Sequence, residues 1–348
     1  MPALRVFLLT CRRPQLLPRA LASLRAQTFS DWVCELHNDA PEDSAPERLL
    51  QATADSRITL RQHSTNLGPV ATFNLAFRGG PEPFTAILED DNWWEPTFLA
   101  RAVAALEAHP AASVVWANMR LWREEDDGSW TDTGTTIWPI TNGGERCFRW
   151  PEPLQLTDAL HSNGAMLVRT SASAAALVPP GTPFAIIEAA RERLLGGDWL
   201  LLGDPLGNFA VTRQTARGSD RLLWTQAQLL AAASYLETVA TPPTVLARVW
   251  HRQRTLNPPS TAVLFHLAFA GIRTGALLRH ATLRDWFRFL LGVCRRPGLF
   301  WRTLQFRRDH AEVWQALRLG AARRTAEHVP DPTWPPTFSK WPETSRAP

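Results

Sequence analysis

Ile87-Leu88-Glu89-Asp90-Asp91-Asn92-Trp93-Trp94 is the stretch on which the reading of this chain turns, because an apolar run stops there against three consecutive acids. A buried strand that carries carboxylates to its exposed end can build a site for a hard divalent cation. Mg2+ and Mn2+ take oxygen ligands and commonly sit on a phosphate. The same triplet also reads as a solvated turn between a strand and a helix. Its surroundings decide between the two.

Upstream, short β-type runs alternate with helical ones. Strands are expected at Leu4–Leu9, Trp32–His37, Ile58–Gln62 and Phe84–Leu88, with helices near Gln15–Ala26, Pro46–Ala54 and Pro69–Phe77. Repeated βα winding implies an α/β fold with a mostly parallel central sheet and helices on both faces. Ligands of such sheets gather beyond the carboxyl ends of the strands. Polar residues follow every expected strand here: Thr10-Cys11-Arg12-Arg13, then Asn38-Asp39, then His63 to Gly68, then Glu89-Asp90-Asp91. That convergence argues for a site more strongly than any one motif does.

Downstream, a helix is expected at Pro96–Ala108 and a strand at Ser113–Trp122, with Asp126-Asp127-Gly128 turning into Ser129–Ile137. Residues 138–160 read as irregular. Ala165–Arg169 reads as a strand and Phe184–Leu195 as a helix ending at Gly196-Gly197. From about Arg221 the chain reads as helical. The expected divisions are a catalytic part over 1–220, a basic amphipathic helical part over 221–327 and a Pro-rich tail over 328–348.

The 348 residues, 45% of them apolar, suffice for a substantial core. The net charge of +4 hides an asymmetry. Between Val245 and Thr325 there are 15 arginines against Asp285, Asp309 and Glu312, a surplus of twelve, which leaves the remainder at about −8. The basic part is therefore expected to face something anionic, whether phospholipid, a polyprenyl-phosphate carrier or nucleic acid. The run Ala262–Ile272 is too short to span a bilayer. Leu283–Val293 reads as an amphipathic helix with Leu283, Trp286, Phe287 and Leu290 on one face and Arg284, Arg288 and Arg295 on another. It either docks on the catalytic part or lies on an anionic membrane. Cys11, Cys34, Cys147 and Cys294 lack metal-ligand spacing, and the N-terminus reads as a strand, so a reduced, cytoplasmic protein is expected.

Thr10-Cys11-Arg12-Arg13, Ser23-Leu24-Arg25-Ala26-Gln27, the Asp39 turn, Asn66-Leu67-Gly68 with Asn74, and Leu88-Glu89-Asp90-Asp91 resemble, in order and spacing, a GT-A-fold family 2 glycosyltransferase. The resemblance is clearest over residues 4–105 and thinner to about 215. It implies transfer of one sugar from a nucleotide diphosphate sugar to a saccharide or lipid-linked acceptor in surface polysaccharide or glycolipid assembly. It places the nucleotide at Thr10, Arg13 and Asp39, with Asn66 and Gly68 beside it. Asp91 would hold Mn2+ or Mg2+, Glu89 would lie nearer the ribose or the metal's water, and Asp90, grouped with the donor-binding residues, is the more structural member of the three. Asn38 stands where the family often has a first acid, and Glu89 where it has an aspartate.

Inversion at the anomeric carbon needs a base opposite the leaving group. Asp198 in Gly196-Gly197-Asp198-Trp199 resembles the family's acid at the start of a helix, and capping of that helix is the plainer role for it. Asp204 and then Glu188 are the alternatives. Arg213 or Arg217 could hold the leaving diphosphate. Trp93, Trp94, Trp138 and Trp150 can wall a sugar, with Trp94 favoured, although tryptophans more often belong to the core. His63 is expected to shape its loop. The Gln-any-any-Arg-Trp motif of processive synthases does not occur, which favours single-sugar addition. Competing readings are a sugar-phosphate nucleotidyltransferase, whose Gly-rich loop after the first strand is not found here, and a catalytically degenerate scaffold that binds membrane through its basic helices. Nucleic-acid binding is not expected, for want of regular aromatic-basic alternation.

Overall fold

Leu4, Val6 and Leu8 face one side of the first strand, β1 (Leu4–Thr10), and Phe7 and Leu9 the other, and all five are buried. Apolar residues on both faces are what a strand covered on both sides needs. In the computed structural model, which describes residues 1–139, 143–156, 158–173, 176–213, 221–256, 265 and 275–327, β1 lies inside a ten-stranded sheet. It pairs in parallel with β2 (Trp32–Asn38) on one side and β4 (Phe84–Glu89) on the other, and β2 pairs with β3 (Ile58–Gln62). The chain winds outward to β3 and then returns to the far side of β1. This reversal between β1 and β4 opens the crevice in which ligands of such sheets bind.

The expectation of a mostly parallel sheet holds to that point, and beyond β4 the pairing is mixed. β9 (Met166–Arg169) lies antiparallel between β4 and β6 (Ala112–Glu124), while β10 (Asp198–Val211) runs parallel to β6. β5 (Trp93–Trp94) and β8 (Glu145–Phe148) add antiparallel pairs to β10, and β7 (Trp130–Thr136) adds one to β6. Residues 138–160, expected to be irregular, thus contribute β8 and a 3-10 turn at Pro153–Leu156. Since β9 opposes both neighbours, β6 and β10 share the direction of β1 and β4. Thr10, Asn38, Gln62, Glu89, Glu124 and Val211 therefore end along one edge, the carboxyl edge. Ala112 and Asp198 begin at the opposite, amino edge.

The helices are α1 (Leu17–Arg25), α2 (Ala45–Thr53), α3 (Pro69–Asn74), α4 (Phe98–Ala108), α5 (Thr170–Ser173), α6 (Ile187–Leu194), α7 (Arg221–Thr238), α8 (Pro243–Leu256), α9 (Gly275–Leu278), α10 (Leu283–Arg295), α11 (Pro297–Asp309) and α12 (Ala311–Glu327). α1 buries Leu17, Ala20, Leu21 and Leu24, a one-sided 3.6-period stripe, and joins α4 on one face of the sheet. α3, α6, α7 and α12 cover the other face. α12 crosses α6 so closely that a Cβ on Gly320 would lie 2.6 Å from the Arg193 carbonyl oxygen. Arg324 on the same helix donates to the Glu192 carbonyl and, at 2.9 Å, to that of Gly197. Trp150 Nε1 donates to Thr325 Oγ1 at 3.0 Å. One apolar cluster therefore runs across the boundary expected near residue 220.

Asp198 does not start a helix. Trp199 and Leu201 enter one core cluster and Leu200 and Leu202 the other, so the run after it alternates as a doubly buried strand. Among the described residues no helix is long and apolar enough to cross a membrane. Ala262–Ile272 (apart from Phe265), Arg217 and the tail 328–348 lie outside the described residues.

Candidate active site at the carboxyl edge

At the end of β4 the chain leaves the sheet, and Asp90 turns back into it. Its carboxylate accepts from Thr10 Oγ1 at 2.8 Å and from the Cys11 amide at 3.3 Å, tying the ends of β1 and β4 together. Burial, with the charge of Asp91 adding to it, pushes Asp90 up to about 7. These contacts spend the Asp90 carboxylate on the framework of the site.

Asp91 projects from the same turn and pairs with Arg13 at 2.5 Å, while Arg13 also approaches Asp90 at 3.4 Å. Burial draws the Arg13 guanidinium down, but Asp91 and Asp90 outweigh it and hold it above its ordinary value. Glu89 accepts from Asn92 Nδ2 at 2.8 Å. Behind them stands Gly164 of the 3-10 turn Asn163–Ala165, where a Cβ would fall 2.8 Å from Glu89 Oε2 and 2.4 Å from Asn92 Nδ2. Any larger residue there would press on the ends of the Glu89 and Asn92 side chains.

Asp39 anchors the neighbouring loop. It accepts from the Leu67 amide at 2.6 Å, the Gly68 amide at 3.0 Å and Thr72 Oγ1 at 3.2 Å, and its own carbonyl accepts from Asn66 Nδ2 at 2.7 Å. Gly68 sits at φ 77°, which glycine adopts without strain. The carboxylate thus has most of its acceptor capacity spent on the loop 66–68. The plainer role, holding a turn, is the one visible, and one acceptor position remains for a nucleobase. His63 stacks on His37 (5.2 Å) with ring nitrogens 3.0 Å apart, which shapes its loop as expected.

Two sequence-based placements are corrected. Trp94, favoured as an acceptor wall, is 2% exposed, donates to the Gly164 carbonyl at 2.6 Å and packs on Phe98. Trp138 and Trp150 are buried as well. Trp93, one residue earlier on the extended β5, turns the other way. The Arg19 guanidinium lies 3.7 Å from its ring centroid and 4.2 Å from that of Trp130, with Trp122 beside them, and donates to the Asp91 carbonyl at 3.0 Å. Burial lowers Arg19 to about 10. This aromatic group next to Asp91 was not legible in the sequence, because Arg19, Trp93 and Trp130 come from three distant elements.

Asp198, favoured as base, stands at the amino edge. Register carried across β9 puts Glu89 level with Asn118 of β6, whereas Asp198 pairs with Ala112. Six residues of strand separate those levels, about 20 Å. Asp198 there meets Arg149 at 3.6 Å and Cys147 Sγ at 3.9 Å. Asp204 stands at the β10 bulge, paired with Arg101 at 3.0 Å. Glu188 is different. α6 runs down to the amino edge, so its first turn, which carries Glu188, starts toward the carboxyl edge. One turn later the buried Arg191 donates to Asn163 at 3.0 Å and contacts Asn74 at 3.5 Å, beside the glycine that backs Glu89.

A cleft of about 370 Å³ opens along this edge, lined by Arg13, Gln15, Leu16, Glu124, Thr212 and Arg213. Thr212 Oγ1 is buried with no partner among the described residues. Arg213 pairs with Asp126 at 3.1 Å. A larger hollow of about 490 Å³ lies at the amino edge around Gly196 and Gly197, and among the described residues Glu327 is the one carboxylate lining it.

No group of three or more His, Cys, Asp or Glu able to hold a metal exists among the described residues. Mg2+ in particular is commonly held through one or two carboxylates completed by substrate phosphates and water. Asp91 with Glu89 fits that donor set once Arg13 yields its place on Asp91.

A profile for the family described as "Glycosyl transferase family 2" matches residues 6–159. Among curated proteins, Escherichia coli K12 WcaA, named for colanic acid biosynthesis and glycosyl transfer, is 28% identical over 120 residues, 34% of this chain and 42% of its own length. The chain spans less than half of the curated relatives it matches. Among solved structures, S. aureus TarS 1–349 in complex with UDP is 12% identical, covering 94% of this chain and 93% of that one at TM-score 0.52. The mannosyltransferase PcManGT of Pyrobaculum calidifontis, in complex with GDP-Man and Mn2+, is 16% identical, covering 94% and 88% at TM-score 0.52. At these identities the structural likeness is one of fold.

Proposed function

From the match of residues 6–159 to the family 2 glycosyl transferase profile, we propose that the chain moves a single sugar from a nucleotide diphosphate sugar to a saccharide or lipid-linked acceptor, inverting the anomeric carbon. The setting is assembly of a surface polysaccharide or glycolipid, at the periphery of a membrane's inner face. One observation carries the reading: Thr10, Arg13, the Asp39-bound loop, Glu89, Asp91 and the start of α6 belong to one edge of one sheet.

In this reading Glu188, not Asp198, takes the acceptor's hydroxyl proton. The acceptor oxygen bonds to the anomeric carbon as the bond from that carbon to the diphosphate oxygen breaks, and the nucleoside diphosphate departs. Asp91, assisted by Glu89, would hold a Mn2+ or Mg2+ ion, which supplies charge neutralisation for the departing diphosphate. Arg13, released from Asp91, adds a second cation to the same oxygens. Asp39 supports the nucleoside side through the loop 66–68. Trp93 and Trp130, with Arg19 stacked between them, wall the acceptor side beside Asp91.

Calorimetric titration with UDP-, GDP- and dTDP-sugars, with and without Mn2+, tests this. One of them is expected to bind with metal present, and Asp91→Asn is expected to weaken that binding more than about a hundredfold. Failure of every donor in the presence of metal would remove the transferase reading.

A further inference from the structure

On α10, Leu283, Phe287, Leu290 and Leu291 are spaced i, i+4, i+7 and i+8, one helical face, yet this face points to solvent. Leu283 is 89% and Phe287 68% exposed. The helix already has a packing face. Phe289 is buried, stacked on Phe265 at 4.8 Å, and Trp286 meets Phe265 at 4.9 Å. The apolar face expected from the sequence therefore splits in two, Trp286 turning inward with Phe289 and the leucines and Phe287 outward. α11 continues the outward surface. Phe300 packs on Phe289 at 6.2 Å, while its neighbour Trp301 is 67% exposed.

Arginines border this strip. Arg284, Arg288 and Arg295 follow the outward apolar residues around α10, and Arg296 and Arg302 extend the charge onto α11; all five are exposed. The only acid within α10, Asp285, is buried, caps the helix with Thr282 and lies 3.4 Å from Arg254. No exposed carboxylate within α10 balances the row. A partner that bound only the apolar strip would leave these arginines unanswered. A surface that is apolar below and anionic at its margin answers both.

We propose that α10 and the start of α11 form a docking face for an anionic lipid bilayer, with Leu283, Phe287, Leu290, Leu291 and Trp301 among the acyl chains and the arginines on lipid phosphates. Each helix, of 13 residues and about 20 Å, lies in the plane of the interface. The inference deepens the function above and rests on it in one respect: a chain held on a bilayer meets a lipid-linked acceptor.

Co-sedimentation of the full chain with phosphatidylcholine vesicles, with and without phosphatidylglycerol, reads this out. Binding is expected only to the anionic vesicles and to weaken with salt. Neutralising Arg284, Arg288 and Arg295 to glutamine should cost about fivefold for each arginine. Phe287→Ser with Trp301→Ser should cost more than about tenfold. Nucleotide-sugar binding without vesicles reports separately on the transferase reading and on folding, and is expected to be unchanged in every variant. Equal partition into both vesicle types, or none into the anionic ones, would overturn the docking face. So would a dimer that the serine variants dissociate without any vesicle binding, which would make a second copy the occupant.

Discussion

Two carboxylates separated by ten positions in sequence carry opposite expectations. Glu188→Gln should fold and bind donor but lose transfer by about 10²–10⁴-fold, while Asp198→Asn should keep transfer near wild type; radiolabelled transfer assays with parallel donor titrations separate them. The reverse result would restore Asp198 as the base. Gly164 offers a finer probe. The atoms an added methyl would meet first are the ends of the Glu89 and Asn92 side chains, so Gly164→Ala should leave the melting temperature close to wild type. It should nevertheless weaken donor binding about tenfold by moving Glu89. An unchanged donor affinity would detach Glu89 from the site. Both residues show why the sequence misled: Asp198 is followed by Trp199-Leu200-Leu201-Leu202, an apolar run whose period fits a buried strand as well as a helix. Trp94 adjoins the acids in sequence but, on an extended strand, turns away from its neighbour Trp93.

Elements that were legible share one property. β1 and β4 are short, doubly buried and bounded by polar turns, so their apolar runs stand out, and the polar residues after them mark the site edge. β8 and the split of α10 into two apolar faces were not legible, because each depends on a partner distant in sequence. The seam between α6 and α12 is the element-level weak point. Gly320→Ala should cost about 1–3 kcal/mol in urea unfolding, since the methyl meets the Arg193 carbonyl, which cannot move aside. Nearby, buried Glu152 accepts from the Leu154 amide at 3.1 Å, and burial raises its pKa to about 7. A raised carboxyl favours its protonated form in the folded state. Its contribution is complete below the ordinary carboxylate range and is lost as pH rises through about 7, a change of about 3 kcal/mol. Glu152→Gln should flatten the fall in stability between pH 5 and pH 8; an unaltered slope would assign that fall to other groups.

At the scale of the whole molecule, the sheet separates two kinds of work. The carboxyl edge gathers the acids, the Asp39-bound loop and the start of α6. At the amino edge, by contrast, Arg324 donates to the Glu192 and Gly197 carbonyls and so holds α12 against α6 and the start of β10. The charge asymmetry was plain in the sequence, but which arginines are bound inside was not: Arg324 is buried in the seam between α6 and α12, whereas Arg284 and Arg288 stay outside. The antiparallel β9 has a consequence for how the chain comes to be folded during synthesis. β4 finds its second neighbour only when residues 166–169 have emerged, and β6 waits for β10 to complete its ladder. The first hundred residues therefore leave the ribosome with β4 as an open apolar edge. Until about twice that length has been made, this nascent half should depend on chaperones or on slow elongation to stay clear of strand-to-strand association.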